Sequence, residues 1–421
     1  MMPEYKEQKK ILVLGAGFGG IAAVRTLGRF MKTHPDVARQ YDIVLVNDRD
    51  FHIYTPGLYE VATALREDVD PWSLKKTAAI PIQDLVAGLP IQFIQDRVEK
   101  IDCDHMTVTL KDGGTLSAQY LLFAVGAAAN TFGIPGVLEH GLILKTFEDA
   151  LKIRTAVTEA LKKKENAHIV VAGGGATGVE LCGELVGLTR TISRRYHKQE
   201  RPVFTLIEAT PRLLPGMPDL VAALAKKRLE SLGVRLMLEH AVTHTEPYKV
   251  FTKTSSGDEV GVDFDFFIWS GGIKSHPLLE RILVPKDKKG RCMVDPDLTV
   301  HGKEKLFAVG DLTCFMNPEN NQPLPAVAWA ALGEGKVAAK NICASIQGRG
   351  LTHYHPPKHP PFIVPISGKW AIAHVMGITF AGLPAFVLRL LKDLRYFLFV
   401  LPPPKALRFF LFSTLAYFKN D

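Results

Sequence analysis

Cysteine is scarce in this 421-residue chain, and its placement excludes more than its number does. The five residues Cys103, Cys182, Cys292, Cys314 and Cys343 never come within three positions of one another. No CxxC or CxxxxC pair therefore exists, which removes a dithiol–disulfide reaction centre and the common zinc spacings. No metal site is expected. An odd, scattered set of thiols also suits a reducing compartment better than a disulfide framework. No secretory leader is expected either: the charged start MMPEYKEQKK runs straight into a β-branched apolar stretch and a glycine turn, which reads as a strand. One run without Asp, Glu, Lys or Arg spans the nineteen residues between Lys369 and Arg389. His374, Gly377, Gly382 and Pro384 interrupt it, so it reads as a hairpin followed by a helix rather than as a membrane span.

What is present describes a folded protein of two or three domains. Apolar residues make up 47% and charged residues 22% of the chain, a balance that disordered chains do not have. The formal net charge is +8. Such a charge fits ordinary drift, nucleic acid or an anionic membrane, and its location decides among them. Six Lys or Arg against two Asp follow residue 380, so half of the excess lies in the last tenth of the chain. Nucleic acid is not an expected partner.

One pattern occurs twice. Ile11–Leu14 leads into Gly15-Ala16-Gly17-Phe18-Gly19-Gly20, and His168–Ala172 leads into Gly173-Gly174-Gly175-Ala176-Thr177-Gly178. An Ala-rich or apolar helical segment follows each. Strand, GxGxxG and helix in that order open a dinucleotide-binding βαβ unit. The first glycine allows the tight turn, and the second lets the backbone approach a pyrophosphate. The third lets helix and strand pack closely, and the helix N-terminus faces the phosphate charge. One such motif is weak evidence; two, each after a buried-strand pattern, are strong. The strand after each unit is expected to end on a residue that bonds ribose hydroxyls. The second unit supplies the usual acid, Glu208, whereas the first departs from the pattern with Asn47, whose amide makes a weaker contact, and has Asp48 beside it.

Further segments resemble the pyridine nucleotide–disulfide oxidoreductase superfamily. Tyr120–Gly126 and Phe267–Gly272 look like its two strands ending in glycine turns. Leu306-Phe307-Ala308-Val309-Gly310-Asp311 resembles its late flavin motif. Within that superfamily, the chain is most similar to the type II NADH dehydrogenases over residues 11 to about 400. The likeness rests on Val46–His52 with Thr55-Pro56, on Gly175–Leu181, on Trp269–Gly272, on Gly335–Ala338 with Asn341-Ile342, and on the helix around Leu390–Tyr396. It implies an α/β fold with two Rossmann-like domains, the NAD domain inserted in the FAD domain, and a membrane-associated helical tail. Segments 1–145 and 281–350 would form the FAD domain, 146–280 the NAD(H) domain, and 351–421 the hairpin and tail.

The resemblance also implies roles. Gly15, Gly17, Gly19, Gly20, Asn47, Asp48, Thr55, Gly126 and Asp311 would hold FAD. Gly173, Gly175, Gly178, Glu208 and Gly272 would hold NADH, with Arg212 able to soften discrimination against NADPH. Glu180 is the titratable candidate near the nicotinamide, with an ordinary first-turn helix carboxylate as its plain alternative. Hydride would pass to the flavin and two electrons on to a quinone, without proton pumping. The family carries two glutamines near the quinone where this chain has Trp329 and Gly333. Two rivals stay open: a sulfide:quinone oxidoreductase, and a slow NADH-binding redox sensor like apoptosis-inducing factor.

The tail reads as amphipathic. On a helix from about Pro384 to Leu401, Arg389, Lys392, Asp393 and Arg395 would share the polar arc. Val387, Leu390, Leu391, Leu394, Phe397, Leu398 and Leu401 would form the apolar one. A second short segment carries Phe409, Phe410, Phe412, Tyr417 and Phe418. Basic and aromatic residues together predict a peripheral anchor at the cytoplasmic face of the cell membrane. Capping of the flavin domain or a homodimer contact is the other use of the same face.

Overall fold

The structure, a computed structural model, describes residues 8–64, 71–164, 166–195 and 201–418, and the side chains of 71–73, 163 and 416–418 lie outside that description. The chain divides into two compact units. The first comprises 1–52, 80–128 and 274–358, and the second 53–79, 129–273 and 359–421. This interleaving is finer than four consecutive segments, and it places the hairpin and tail with the second nucleotide-type sheet.

The first unit is built on a six-stranded sheet in the order Thr299–Val300, Lys303–Ala308, Tyr120–Phe123, Lys9–Leu14, Tyr41–Asn47, Ile91–Gln95. All neighbours are parallel except the first pair. Ile11, Leu12, Val13 and Leu14 are all fully buried. A strand covered on both faces has no use for polar alternation, which is why it reads as a continuous apolar run. The helices Phe18–Thr33 and Ala328–Ile346 cross closely: a Cβ on Gly335 would come 2.2 Å from the Gly19 carbonyl oxygen.

The second unit repeats the theme with a five-stranded parallel sheet, ordered Leu142–Ile143, Phe266–Trp269, His168–Ala172, Val203–Glu208, Val234–Leu238. The helix Ala176–Arg195 follows its central strand and extends well beyond Glu184. The apolar stretch near residue 375 is a hairpin, Ala371–Val375 with Ile378–Gly382. Met376 and Gly377 both have positive φ at its tip, the two-residue turn that matches strand twist.

Two helices end the chain, Leu383–Val400 and Pro403–Phe418. Phe397 and Phe409 bind them edge to face at 4.8 Å. Here the expected polar arc needs correction. Arg389 and Asp393 are buried with Phe386, Tyr396 and Phe397. Leu383, Val387, Leu391 and Leu398 are exposed, alongside Lys392 and Arg395. The cause is the partners available inside: Arg389 pairs with Glu60, and the Tyr54 hydroxyl donates to Asp393. No helix among the described residues is long and apolar enough to cross a membrane.

Candidate functional site

Each unit carries one glycine cradle, and the two are built alike. In the first, Gly15 has φ +101°, and a Cβ there would lie 2.5 Å from the Ala124 carbonyl oxygen. A Cβ on Gly20 would fall 1.9 Å from the Gly15 carbonyl oxygen, whereas one on Gly17 meets nothing closer than 3.8 Å. Two glycines therefore close the turn, and the middle one faces open space. Gly19 is occupied differently: its added Cβ would meet Val309 at 2.8 Å, so it serves packing. In the second unit Gly173 has φ +115° with Ser270 backbone at 2.7 Å, Gly178 would collide with the Gly173 oxygen at 1.9 Å, and Gly175 has nothing within 4 Å.

The residues ending the second strands do matching work. Ala16 N–H donates to Asn47 Oδ1 at 2.9 Å, and Asn47 Nδ2 donates to the Arg49 carbonyl. Gly174 N–H donates to Glu208 Oε2 at 2.5 Å, and Thr210 N–H to Oε1 at 2.8 Å. Each side chain thus ties down the residue after the first glycine. Asn47 replaces an acid without loss of this acceptor. Arg212 is committed to Asp219 and the Met217 carbonyl, so it stands as a surface pair rather than a free cation.

A cavity of about 590 Å³ opens in the first unit, lined by Gly15, Gly17, Asn47, Asp48, Arg97 and Gly126 among others. Its glycine floor and hydrogen-bonding rim fit an extended dinucleotide, with the middle glycine open to it. Thr55 is exposed at the start of the turn Thr55–Gly57 and belongs to the second unit. Gly272 closes the second unit's turn at φ +143°, with Phe132 3.2 Å from its added Cβ.

Asp311 follows Gly310, whose N–H donates to Glu334 Oε2 at 2.6 Å. Glu334 is almost wholly buried. Burial pushes its carboxyl up to about 7, with nearby Asp311 adding to the rise and the Gly310 N–H opposing it. Sequence reading missed this group; the signal was one acid inside the small-residue helix Ala328–Ile346. Trp329 and Gly333 lie one turn apart on that helix, both half-buried. A Cβ on Gly333 would come 2.7 Å from the Tyr354 hydroxyl. The phenol ring fills the space that a larger residue at 333 would need.

Glu180 sits in the second unit, half-buried in the first turns of Ala176–Arg195. Burial raises it to about 8; Glu184 and Asp393 add to the rise, and Arg389 and Lys392 oppose it. The five cysteines are free and buried. Burial pushes Cys182, Cys292 and Cys343 up to about 12 and Cys103 to about 11. Such thiols are inert at neutral pH. Among the described residues, no group of three or more His, Cys, Asp or Glu is placed to hold a metal ion.

Comparison with known proteins agrees with this architecture. The sequence profile of the family described as pyridine nucleotide-disulphide oxidoreductase matches residues 9–335. A type II NADH:quinone oxidoreductase of Staphylococcus aureus (strain NCTC 8325 / PS 47) is 27% identical over 360 residues, covering 83% of this chain and 85% of the relative. NDH2 from Plasmodium falciparum in complex with NADH superposes with a TM-score of 0.81 at 18% identity, over 97% of this chain and 98% of that one. The sulfide:quinone oxidoreductase of Aquifex aeolicus gives 0.78 at 21% identity, over 93% and 91%. The two solved structures bear on the fold alone.

Proposed function

The chain belongs to the pyridine nucleotide-disulphide oxidoreductase family, and from that membership we propose that it is an FAD-dependent, non-proton-pumping NADH:quinone oxidoreductase. The observation that carries the reading is the duplicated cradle: each unit offers two glycines that admit no side chain and a middle glycine open to a ligand. Bound FAD supplies the two-electron carrier between a hydride donor and an acceptor. In the first unit Gly15, Gly17 and Gly20 would hold its pyrophosphate, with Asn47 and Asp48 toward the ribose and Asp311 near the phosphate end. In the second, Gly173, Gly175, Gly178 and Gly272 would shape the NADH cradle. Glu208 keeps lone pairs for the ribose hydroxyls and repels a 2′-phosphate. Glu180 would be the titratable group near the nicotinamide, its carboxyl raised by burial to about 8.

The sequence relative named a type II NADH:quinone oxidoreductase favours a quinone as acceptor. Trp329 and the Gly333–Tyr354 contact would form the wall against which it lies. Against a sulfide-oxidising role stand the raised, buried thiols, since that chemistry needs a thiolate pair. For quinone delivery the exposed leucines of the last two helices, with Lys392 and Arg395 beside them, support docking on a membrane surface. The cytoplasmic face is the one where NADH is supplied. The deciding experiment is stopped-flow mixing of FAD-loaded protein with NADH under anaerobic conditions, then with a quinone. Rapid bleaching of the flavin and its recovery on quinone addition are expected. Bleaching without recovery refutes the acceptor.

A further inference from the structure

Two polar side chains of the first unit meet behind the wall proposed for the acceptor, and electron transfer by itself uses neither. Tyr354 is almost wholly buried, with its ring edge to face on Phe315 at 5.3 Å and its backbone N–H donating to the Pro296 carbonyl. Its hydroxyl reaches the helix Ala328–Ile346 where a side chain at 333 would begin, 2.7 Å from a Cβ placed on Gly333. Among the described residues that hydroxyl makes no hydrogen bond. A polar group left so in a buried ring is a standing cost, which is intelligible where it serves as donor and acceptor in turn. Glu334, the next residue along the helix, is near enough for its charge, together with burial, to push the phenol above its ordinary value.

Glu334 is placed to keep that phenol supplied. Its Oε2 accepts from the Gly310 N–H at 2.6 Å, and its side of the helix lines a cavity of about 10 Å³ shared with Arg291, Asp311 and Thr313. That is room for about one water among polar partners. The charged groups facing Glu334 are therefore Asp311 and Arg291 across the cavity, and Arg291 is held by both N–H bonds to Asp287. Cavity, carboxyl, phenol and Gly333 follow one another within a single unit.

We propose that the Tyr354 hydroxyl gives a proton to the acceptor at the Gly333 wall and that Glu334 restores it. This rests on the NADH:quinone reading. NADH gives two electrons and one proton as hydride and leaves as NAD⁺, whereas a quinone needs two electrons and two protons to become quinol. The second proton passes from the phenol O–H to a quinone oxygen. The phenolate then takes the proton of the Glu334 carboxyl, and Glu334 is reloaded from water through the cavity beside it. A phenol held above its ordinary range keeps its proton from water and yields it to the strongly basic oxygen that forms as electrons arrive. Burial and Asp311 keep Glu334 protonated up to about pH 7.

The test uses full-length, FAD-loaded protein with saturating NADH and two acceptors: decylubiquinone, which takes up protons, and ferricyanide, which takes electrons only. Tyr354→Phe keeps the ring beside Gly333, and Glu334→Gln keeps an acceptor for the Gly310 N–H. Each should lower decylubiquinone turnover by roughly tenfold or more, the scale of a lost proton-transfer group, while ferricyanide turnover stays within about twofold. Wild-type turnover of decylubiquinone should fall as pH rises through about 7, where Glu334 loses its proton. That fall should be absent with ferricyanide and absent from Glu334→Gln. Equal losses with both acceptors would show a merely structural role and overturn the proposal, as would no loss with either or a pH profile that Glu334→Gln leaves unchanged. Wild-type protein that reduces ferricyanide but never decylubiquinone would instead overturn the acceptor reading, and the proposal with it.

Discussion

Replacing Gly178 with alanine puts the second cradle under direct test. The added Cβ would lie 1.9 Å from the Gly173 carbonyl oxygen and 2.5 Å from Ser270 Oγ. Neither neighbour can yield cheaply. Gly173 is held by its N–H bond to Ile207 at 2.8 Å, and its carbonyl accepts from Ser270 Oγ at 3.1 Å. The start of the helix Ala176–Arg195 must therefore move by an ångström or so, and overpacking of that kind costs about 1–3 kcal/mol. If the displaced helix N-terminus is where the pyrophosphate binds, NADH affinity falls by a similar free energy, about 5- to 150-fold. Flavin content should not change, because Gly15, Gly17 and Gly20 belong to the other unit. Gly175→Ala is the companion variant. Its Cβ meets nothing within 4 Å, so thermal stability should hold while the methyl group blocks the ligand. Anaerobic NADH titration and thermal melting of both variants give the readout. NADH binding within about twofold of wild type in Gly175→Ala would refute the assignment of this loop, whatever Gly178→Ala does to stability.

Three further outcomes follow from the same geometry. Glu208→Gln keeps one acceptor for the two N–H groups of Gly174 and Thr210 and removes the charge that repels a 2′-phosphate; the ratio of kcat/KM for NADH over NADPH should fall. Glu334 titrates near 7 when folded against an ordinary value of 4.5, so the folded state binds the extra proton, and this group's stabilising contribution is lost as pH rises from about 4.5 to 7. Glu334→Gln should remove that slope, worth about 1–3 kcal/mol, in melting midpoints followed across pH. Leu391→Asp with Leu398→Asp alters only exposed positions of the penultimate helix; sedimentation with anionic liposomes should drop at least tenfold, since each buried leucine contributes about 1.5–3 kcal/mol, while melting stays unchanged.

The nucleotide units were legible because everything that defines them is adjacent in sequence. A glycine that admits no Cβ, the strand before it and the helix after it lie within about ten residues, and propensity and patterning agree over that span. Glu208 was legible only as the acid that ends its own strand, Val203–Glu208; its bond to Gly174, 34 positions away, was not. Asn47 looked like a weakened ribose contact, yet the structure gives it the loop-tying bond that Glu208 makes. A bond between residues 31 positions apart leaves no trace in composition. Glu334 and Tyr354 escaped because their environment is assembled from separate segments. The glycine at 333 looked like a missing side chain and is in fact a seat for a phenol ring. The insertion of one unit in the other was expected from the resemblance, but not that 53–79 and 359–421 cluster with the second unit: periodicity reports which residues are buried, not which sheet they are buried against.

The penultimate helix shows most clearly why patterning misled. Hydropathy assigns charged residues outward, and it does so correctly whenever water is the best partner they have. Arg389 has better ones, in Glu60 329 positions away and Asp393 one turn on, with the faces of Tyr59 and Phe386 above and below. A buried ion pair adds little net stability compared with apolar residues of the same shape, because desolvation offsets the attraction. Its consequence is selectivity: with a paired Arg389 required inside, the helix can dock in one rotation only. That rotation turns Leu383, Val387, Leu391 and Leu398 outward. An apolar arc held outward by charges locked inward cannot relax by rolling over, which supports the proposed docking on an apolar surface. Lys392 and Arg395 stand exposed beside that arc, where long basic side chains can reach headgroups while their stems lie along the apolar surface. A two-fold contact centred on this arc would bring the same two cations near their own copies, and like charges across an interface are costly. A lipid surface carries the opposite sign, and that difference favours the membrane as what this arc was built to meet.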